Sequence, residues 1–299
     1  MGELPAGFLP DLRALRRWPE LHGSLWREPV LVELTYGAVY RLVRRHVNPP
    51  SQVLDLGCGM GYMALELARD GCRVTAVDAD AESIELARGA LAADPLLRGR
   101  EVLAYEVADI AEWQAPPGRF DVVVASRALH HVPDLEGVVS RMSRWLRPGG
   151  KLVCVDFAYD RFDRRCAAWL YQLQGLLQAC GAGGSSDRLG DEPGPGIERV
   201  WAAWWQHHEQ EHRLHTGDRL LDAFHTSFRE QGHEWLPYLY WDVLEEVELA
   251  PAAAGAVARF VRNLEAHQIT AGELPALLFS WIGQRGPGAA RPTPQARSG

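Results

Sequence analysis

Lysine is almost missing from this chain: Lys151 stands alone among 31 basic residues, and the rest are arginine. That bias reads as coding preference. With a formal net charge of −8, the chain lacks the basic excess by which a general nucleic-acid binder displaces counterions. No apolar run approaches the roughly 20 residues that span a bilayer. The first residues lack the basic and apolar regions of a secretory leader, and Ala6 stands where a myristoylation signal after Gly2 needs Ser or Thr. No membrane contact is therefore expected. Cysteine is sparse as well: Cys58, Cys72, Cys154, Cys166 and Cys180 form no C-x-x-C pair and are odd in number. That pattern suits free thiols in a reducing cytoplasm. What is present is apolar material, 47% of 299 residues. It suffices for one domain, or one domain with an insertion.

The stretch that organises the chain runs from Val53 to Ala68, V-L-D-L-G-C-G-M-G-Y-M-A-L-E-L-A. It predicts a strand, a turn over Gly57, Cys58, Gly59, Met60 and Gly61, and then a helix. Glycines let a backbone approach a ligand closely, and free N–H groups at a helix start attract negative groups. Asp55 lies in the strand, and a second strand, Arg73 to Val77, ends in Asp78. An acid there is placed to accept both hydroxyls of a ribose. A dinucleotide fingerprint would put its third glycine at position 62, which is Tyr62; here it comes one residue early, at Gly61. The string D-x-G-x-G-x-G resembles motif I of the class I S-adenosylmethionine-dependent methyltransferases. In that family the turn passes under the methionine part of the cofactor, and the acid ending strand two holds the ribose.

Taken in order, residues 1 to about 27 read as short helical pieces docked through Trp18 and Trp26. Val30 to Val47 reads as a helix stopped by Asn48-Pro49-Pro50. After the glycine turn come a helix (62–69), the second strand, a helix (81–93) and a strand (101–107) closed by Ala108-Asp109-Ile110. The fully apolar run 120–125 marks a strand buried on both faces. A helix (135–146), the turn Pro148-Gly149-Gly150 and a strand (151–155) ending at Asp156 complete the alternation. Such alternation predicts a doubly wound α/β sheet with ligands at the carboxyl ends of its strands. Asp55, Asp78, Asp109, Ser126 and Asp156 all fall there. Further on, the pattern predicts helices at 162–179, 198–215, 218–231 and 252–267, a Gly/Pro/Ser loop at 181–196, and extended segments at 235–241 and 277–282.

The resemblance extends over residues 50 to 157. Asp109-Ile110 looks like the family's adenine clamp, Phe120 to Asp134 like its fourth strand and the loop behind the methyl group, and Leu146 to Leu152 like the turn into its fifth strand. It implies a mostly parallel seven-stranded sheet with an antiparallel last strand, and S-adenosylmethionine as cofactor. The implied cofactor contacts are Asp55, Gly57, Cys58, Gly59, Asp78, Ala79, Asp109, Ile110, Ser126 and His131. Four segments are expected: an N-terminal helical cap (1–49), the cofactor-binding core (50–159 and 271–284), a mainly helical substrate-choosing insertion (160–270) and a disordered tail (285–299).

Two histidine groups are candidates for chemistry. His130 and His131 follow the fourth strand, where the family's histidine contacts the cofactor, shapes the site or acts as base. His208-Glu209-Gln210-Glu211-His212 spells the zinc-protease string H-E-x-x-H. Charged neighbours and the lack of a following glycine turn count against zinc, so no metal is expected. Trp201, Trp205, His208, His212 and His215 share one helical face. That face either packs in the core or lines an acceptor pocket, with His208 or His212 taking a proton. Tyr36 and Tyr159 join Trp201 and Trp205 as candidate acceptor contacts.

Ser126-Arg127-Ala128-Leu129 is not the Asn/Asp-Pro-Pro-aromatic motif of DNA and protein methylators. Asp156-Phe157 is not the Asp-Asn pair of magnesium-dependent catechol enzymes. The resemblance thus implies a metal-independent, cytoplasmic enzyme that methylates a small aromatic or apolar acceptor at oxygen, nitrogen or carbon. A homodimer is allowed for. A non-catalytic cofactor-binding subunit and a zinc-dependent hydrolase working through His208 and His212 stand as the alternatives.

Overall fold

Alternate residues of the central strands feed two separate apolar layers, which is why these strands read as unbroken hydrophobic runs. Leu54, Leu56, Val123, Ala125, Leu152 and Cys154 pack on one face, and Val53, Val122, Val124, Val153 and Val155 on the other. A computed structural model of the chain describes residues 33–182, 193–245 and 251–286. The expectations for residues 1–32, for the loop between 183 and 192 and for the tail beyond 286 lie outside the described residues.

A π-helical turn, Glu33–Gly37, leads into α1 (Ala38–Arg44). Then follow β1 (Gln52–Leu56), α2 (Tyr62–Arg69), β2 (Arg73–Asp78), α3 (Ala81–Ala93), β3 (Leu103–Val107) and β4 (Phe120–Ser126). After these come α4 (Leu135–Trp145), β5 (Leu146–Phe157), α5 (Arg164–Ala179), α6 (Pro193–Trp205) and α7 (Gly217–His225). The described chain closes with β6 (Arg229–Leu236), α8 (Leu239–Glu245), α9 (Pro251–Thr270) and β7 (Leu278–Gln284). Side-chain caps fix several starts: Asp80 accepts from Glu82 and Ser83 N–H before α3, and Asp163 from Arg165 and Cys166 N–H before α5.

The seven strands lie in the order β3-β2-β1-β4-β5-β7-β6. β7 runs antiparallel to both its neighbours, and the other six strands are parallel to one another. The chain winds outward from β1 to β3, then returns to place β4 against β1. That reversal makes the β1/β4 boundary the switch point, where the loops part and leave a crevice.

Three expectations are corrected. The sixth strand is Arg229–Leu236, not 235–241, and α7 stops at His225, not at 231. As an edge strand, β6 exposes most of its residues and carries Glu, Gln and His, so it shows no apolar alternation. It also takes residues 229–236 out of the 160–270 insertion and into the sheet. Finally, α6 begins at Pro193 inside the expected loop, because proline suits the first helical turn. The remaining helices of this region form their own aromatic core against the end of β5, with Phe157, Phe162, Trp169, Trp204 and Tyr240 among its buried members.

Candidate active site at the sheet switch point

The glycine turn between β1 and α2 is shaped by close packing. Gly57, Gly59 and Gly61 have φ of 69°, 50° and 77°, a region that L side chains rarely adopt. A Cβ on Gly57 would lie 2.3 Å from the Ala128 Cβ, and one on Gly61 would lie 2.5 Å from the Tyr105 ring. Over Gly59 nothing lies within 4 Å. The turn is therefore pressed down at both ends and open in the middle, above a cavity of about 400 Å³. That volume suits a nucleoside-sized ligand.

Two carboxylates stand at this cradle. Asp78 accepts Gly59 N–H at 2.7 Å and Asp80 N–H at 2.9 Å, one on each oxygen, and lines the cavity. Asp55 is buried, and its Oδ2 has no hydrogen-bond partner among the described residues. Burial, then the nearby Asp78 charge, push its pKa up to about 7. An orphaned buried oxygen, a free space over Gly59 and a strand-end acid together fit an S-adenosylmethionine-type ligand. Asp55, the 57–59 backbone and Asp78 are the residues that would hold it.

Across the crevice, the loop after β4 makes a single helical turn, Leu129–His131. Asp156, at the end of β5 and fully buried, accepts the Leu129 N–H (3.0 Å), the Phe157 N–H (2.8 Å) and Nδ1 of His130 (2.5 Å). A carboxylate only accepts, so the proton of the His130–Asp156 bond sits on Nδ1. Nε2 is left as the basic nitrogen of a ring that lines the cavity. His215 locks this loop from behind, its N–H bonded to His130 O and its Nε2 to Val132 O.

Of the residues expected from sequence, Asp55, Gly57, Cys58, Gly59, Asp78, Ser126, His130 and Tyr36 line the cavity. Ala79 and Asp109 are exposed outside it, and Asp109 accepts Ala111 N–H at 2.7 Å. Ile110 packs on the core beside the glycine turn. His131 sits behind His130 with ring centres 4.2 Å apart, and burial, then the charges of His130 and His212, hold its pKa down to about 4. A ring so hard to protonate is a poor base at neutral pH.

The aromatic wall comes from elsewhere than the expected helix face: Phe157 after Asp156, Tyr238 between β6 and α8, and Tyr36 and Tyr62. Phe157 and Tyr238 lie ring to ring at 4.5 Å, and Tyr36 and Tyr62 edge to face at 5.7 Å. Tyr159, Trp201, Trp205, His208 and His212 do not line the cavity. Trp204, on the neighbouring face, is the buried one: it stacks on Phe162 at 4.1 Å and donates Nε1–H to Tyr159 O. His208 lies one ring behind the wall, 5.4 Å from Phe157, with Nδ1 bonded to Trp204 O. Burial leads in lowering its pKa to about 4.

The shared face breaks because Gln206–Glu211 is π-helical. Each turn there takes up an extra residue, so position 212 falls under 207 and not under 208. His212 N–H bonds to His207 O, and the His207 and His212 rings lie 4.4 Å apart. Among the described residues, the group able to hold a metal ion is His207, Glu211 and His212, all exposed, and not the H-E-x-x-H pair.

This architecture, with its glycine cradle at the switch point and acids at the strand ends, defines a class I, Rossmann-like S-adenosylmethionine-dependent methyltransferase. The family model described as a methyltransferase domain matches residues 36–227, more than half of the chain, and the chain belongs to that family. It is 37% identical over 124 residues to a ubiquinone biosynthesis O-methyltransferase of Sodalis glossinidius, covering 41% of this chain and 46% of that one. The chain spans about half the length of the curated relatives it matches. Among solved structures, geranyl diphosphate C-methyltransferase from Streptomyces coelicolor superposes with a TM-score of 0.53 at 17% identity, over 95% of this chain and 91% of that one. The [4+2]-cyclase SpnF gives a TM-score of 0.52 at 17% identity, over 84% and 81%. At such identities the likeness concerns the fold.

Proposed function

We propose that the chain transfers a methyl group from S-adenosylmethionine to the hydroxyl of an aromatic small molecule, with His130 as general base. The observation that carries this reading is the His130–Asp156 pair at the cavity wall. Bound cofactor supplies a methyl group already activated by its sulfonium charge. The protein then has to align the acceptor, exclude water and take one proton. Phe157, Tyr238, Tyr36 and Tyr62 offer ring faces and edges to a flat acceptor. Nε2 of His130 takes the hydroxyl proton as the oxygen takes the methyl, and Asp156 steadies the resulting imidazolium. A side-chain base makes a metal unnecessary for this step. Oxygen as the acceptor atom is supported by the likeness to the Sodalis O-methyltransferase, and the cytoplasm by the five free cysteines. No described helix is long and apolar enough to cross a membrane.

The test is incubation of purified protein with methyl-labelled cofactor, a panel of phenols and catechols, and a small-metabolite extract, read by mass spectrometry. The expected result is label on an aromatic oxygen. Cofactor binding with no methylated product would overturn the enzymatic reading in favour of a cofactor-binding subunit.

A further inference from the structure

Arg127 is a cation in the cavity wall to which the described residues bring no carboxylate. It directly follows β4 and holds a φ of 53°, an unfavourable backbone for a residue with a side chain. Its N–H is tied to Val155 O at 2.7 Å, which fixes where the side chain starts. The guanidinium lies 4.8 Å from the centre of the Tyr36 ring and 5.0 Å from that of Trp241. Arg69, by contrast, is neutralised by Asp94 and Glu66. Arg127 has rings in place of acids.

The two rings lie to one side of the guanidinium, their own centres 5.9 Å apart and their planes 67° from parallel, so the edge turned away from them is the part available to a ligand. That edge carries a fork of N–H donors matched to a planar carboxylate or to a phosphate. The ring pair also holds the side chain in one orientation without consuming its charge. Arg127 and His130 stand three residues apart on one loop and line one cavity, so a group held by the first lies beside the base. The covering rings come from the π turn before α1 and from α8, not from the glycine cradle.

We propose that Arg127 recognises an anionic group, a carboxylate or phosphate, carried by the methyl acceptor. The inference rests on the reading that this cavity takes an acceptor beside the cofactor. It narrows the substrate class to aromatic hydroxyl compounds bearing an acid. The cofactor's own carboxylate offers the same chemistry, and the experiment separates the two.

Protein saturated with S-adenosylhomocysteine is titrated with hydroxybenzoates and hydroxyphenyl phosphates, and with the matching neutral amides and methyl esters, following tryptophan fluorescence. The wild type is expected to bind at least one acid tenfold or more tighter than its neutral counterpart. Arg127→Met should erase that preference while S-adenosylhomocysteine affinity, measured separately by calorimetry, stays within threefold. Arg127→Lys, which keeps the charge but loses the fork, should retain part of the preference, and it serves if Arg127→Met does not fold. No acid preference anywhere in the panel, weak binding of every compound included, overturns the proposal. A tenfold loss of S-adenosylhomocysteine affinity in Arg127→Met, with acid preference intact, also overturns it and assigns the arginine to the cofactor. Failure of wild-type protein to bind S-adenosylhomocysteine at all would instead remove the cofactor reading underneath.

Discussion

Asp78→Ala separates a ligand-binding acid from one that merely staples a turn. In the free protein each carboxylate oxygen accepts one backbone N–H, from Gly59 and from Asp80. Each oxygen keeps a further lone pair on a residue that lines the cavity, and two ribose hydroxyls would use them. Hydrogen bonds to a charged group are worth about 1.5–3 kcal/mol each, but water can refill a vacated site. A net loss of about 1.5–3 kcal/mol for the pair is therefore expected, or roughly 10- to 150-fold in Kd. Asp78→Asn keeps one acceptor oxygen without the charge and should fall between wild type and alanine. Both changes also remove the charge that helps raise the Asp55 pKa. The assay is calorimetric titration with S-adenosylhomocysteine on protein shown to be folded by circular dichroism. A pure turn staple would lower the melting temperature and leave affinity alone. Folded Asp78→Ala binding within threefold of wild type would refute the reasoning.

Asp156→Asn replaces one acceptor oxygen with a donor facing backbone N–H. It should cost about 1–3 kcal/mol of stability and, by leaving the imidazolium without its charged partner, about 5- to 30-fold in kcat; thermal melts and acceptor kinetics check both, and an unchanged kcat counts against the pair. Trp204→Ala should cost about 3–5 kcal/mol in chemical denaturation; a loss below about 1 kcal/mol would show that the insertion does not rest on it. The pKa of Asp55 is raised on folding, so its contribution to stability is complete below the ordinary carboxylate range and is lost as pH rises through about 7. Asp55→Asn should therefore flatten the decline in stability of ligand-free protein between pH 5 and 8, by at most about 3 kcal/mol; parallel pH profiles for the two proteins would contradict this.

The cofactor half was legible because its constraints are local. A glycine pressed against Ala128 or Tyr105 admits no other residue, and strands buried on both faces must be apolar throughout. The acceptor half was not, for three physical reasons. Among the described residues β6 pairs only with β7, and it exposes most of its side chains, so it carries no hydrophobic alternation. The π turn at 206–211 differs from an α-helix by one hydrogen-bond register, which side-chain spacing does not announce, and the expected Trp/His face came apart there. Arg127 stood within Ser126-Arg127-Ala128-Leu129, but the rings that flank it, Tyr36 and Trp241, lie far from it in sequence. Phe157 gave one usable sign: it directly follows a strand-end acid at the carboxyl edge of the sheet.

The most direct measurement is kcat for His130→Ala against wild type with the acceptor found by methyl labelling, followed across pH and with added imidazole. Removal of the base predicts a fall of about 10²- to 10⁴-fold in kcat, with S-adenosylhomocysteine affinity unchanged and partial recovery when imidazole fills the vacated space. A folded His130→Ala protein that binds cofactor and turns over at the wild-type rate would contradict the account.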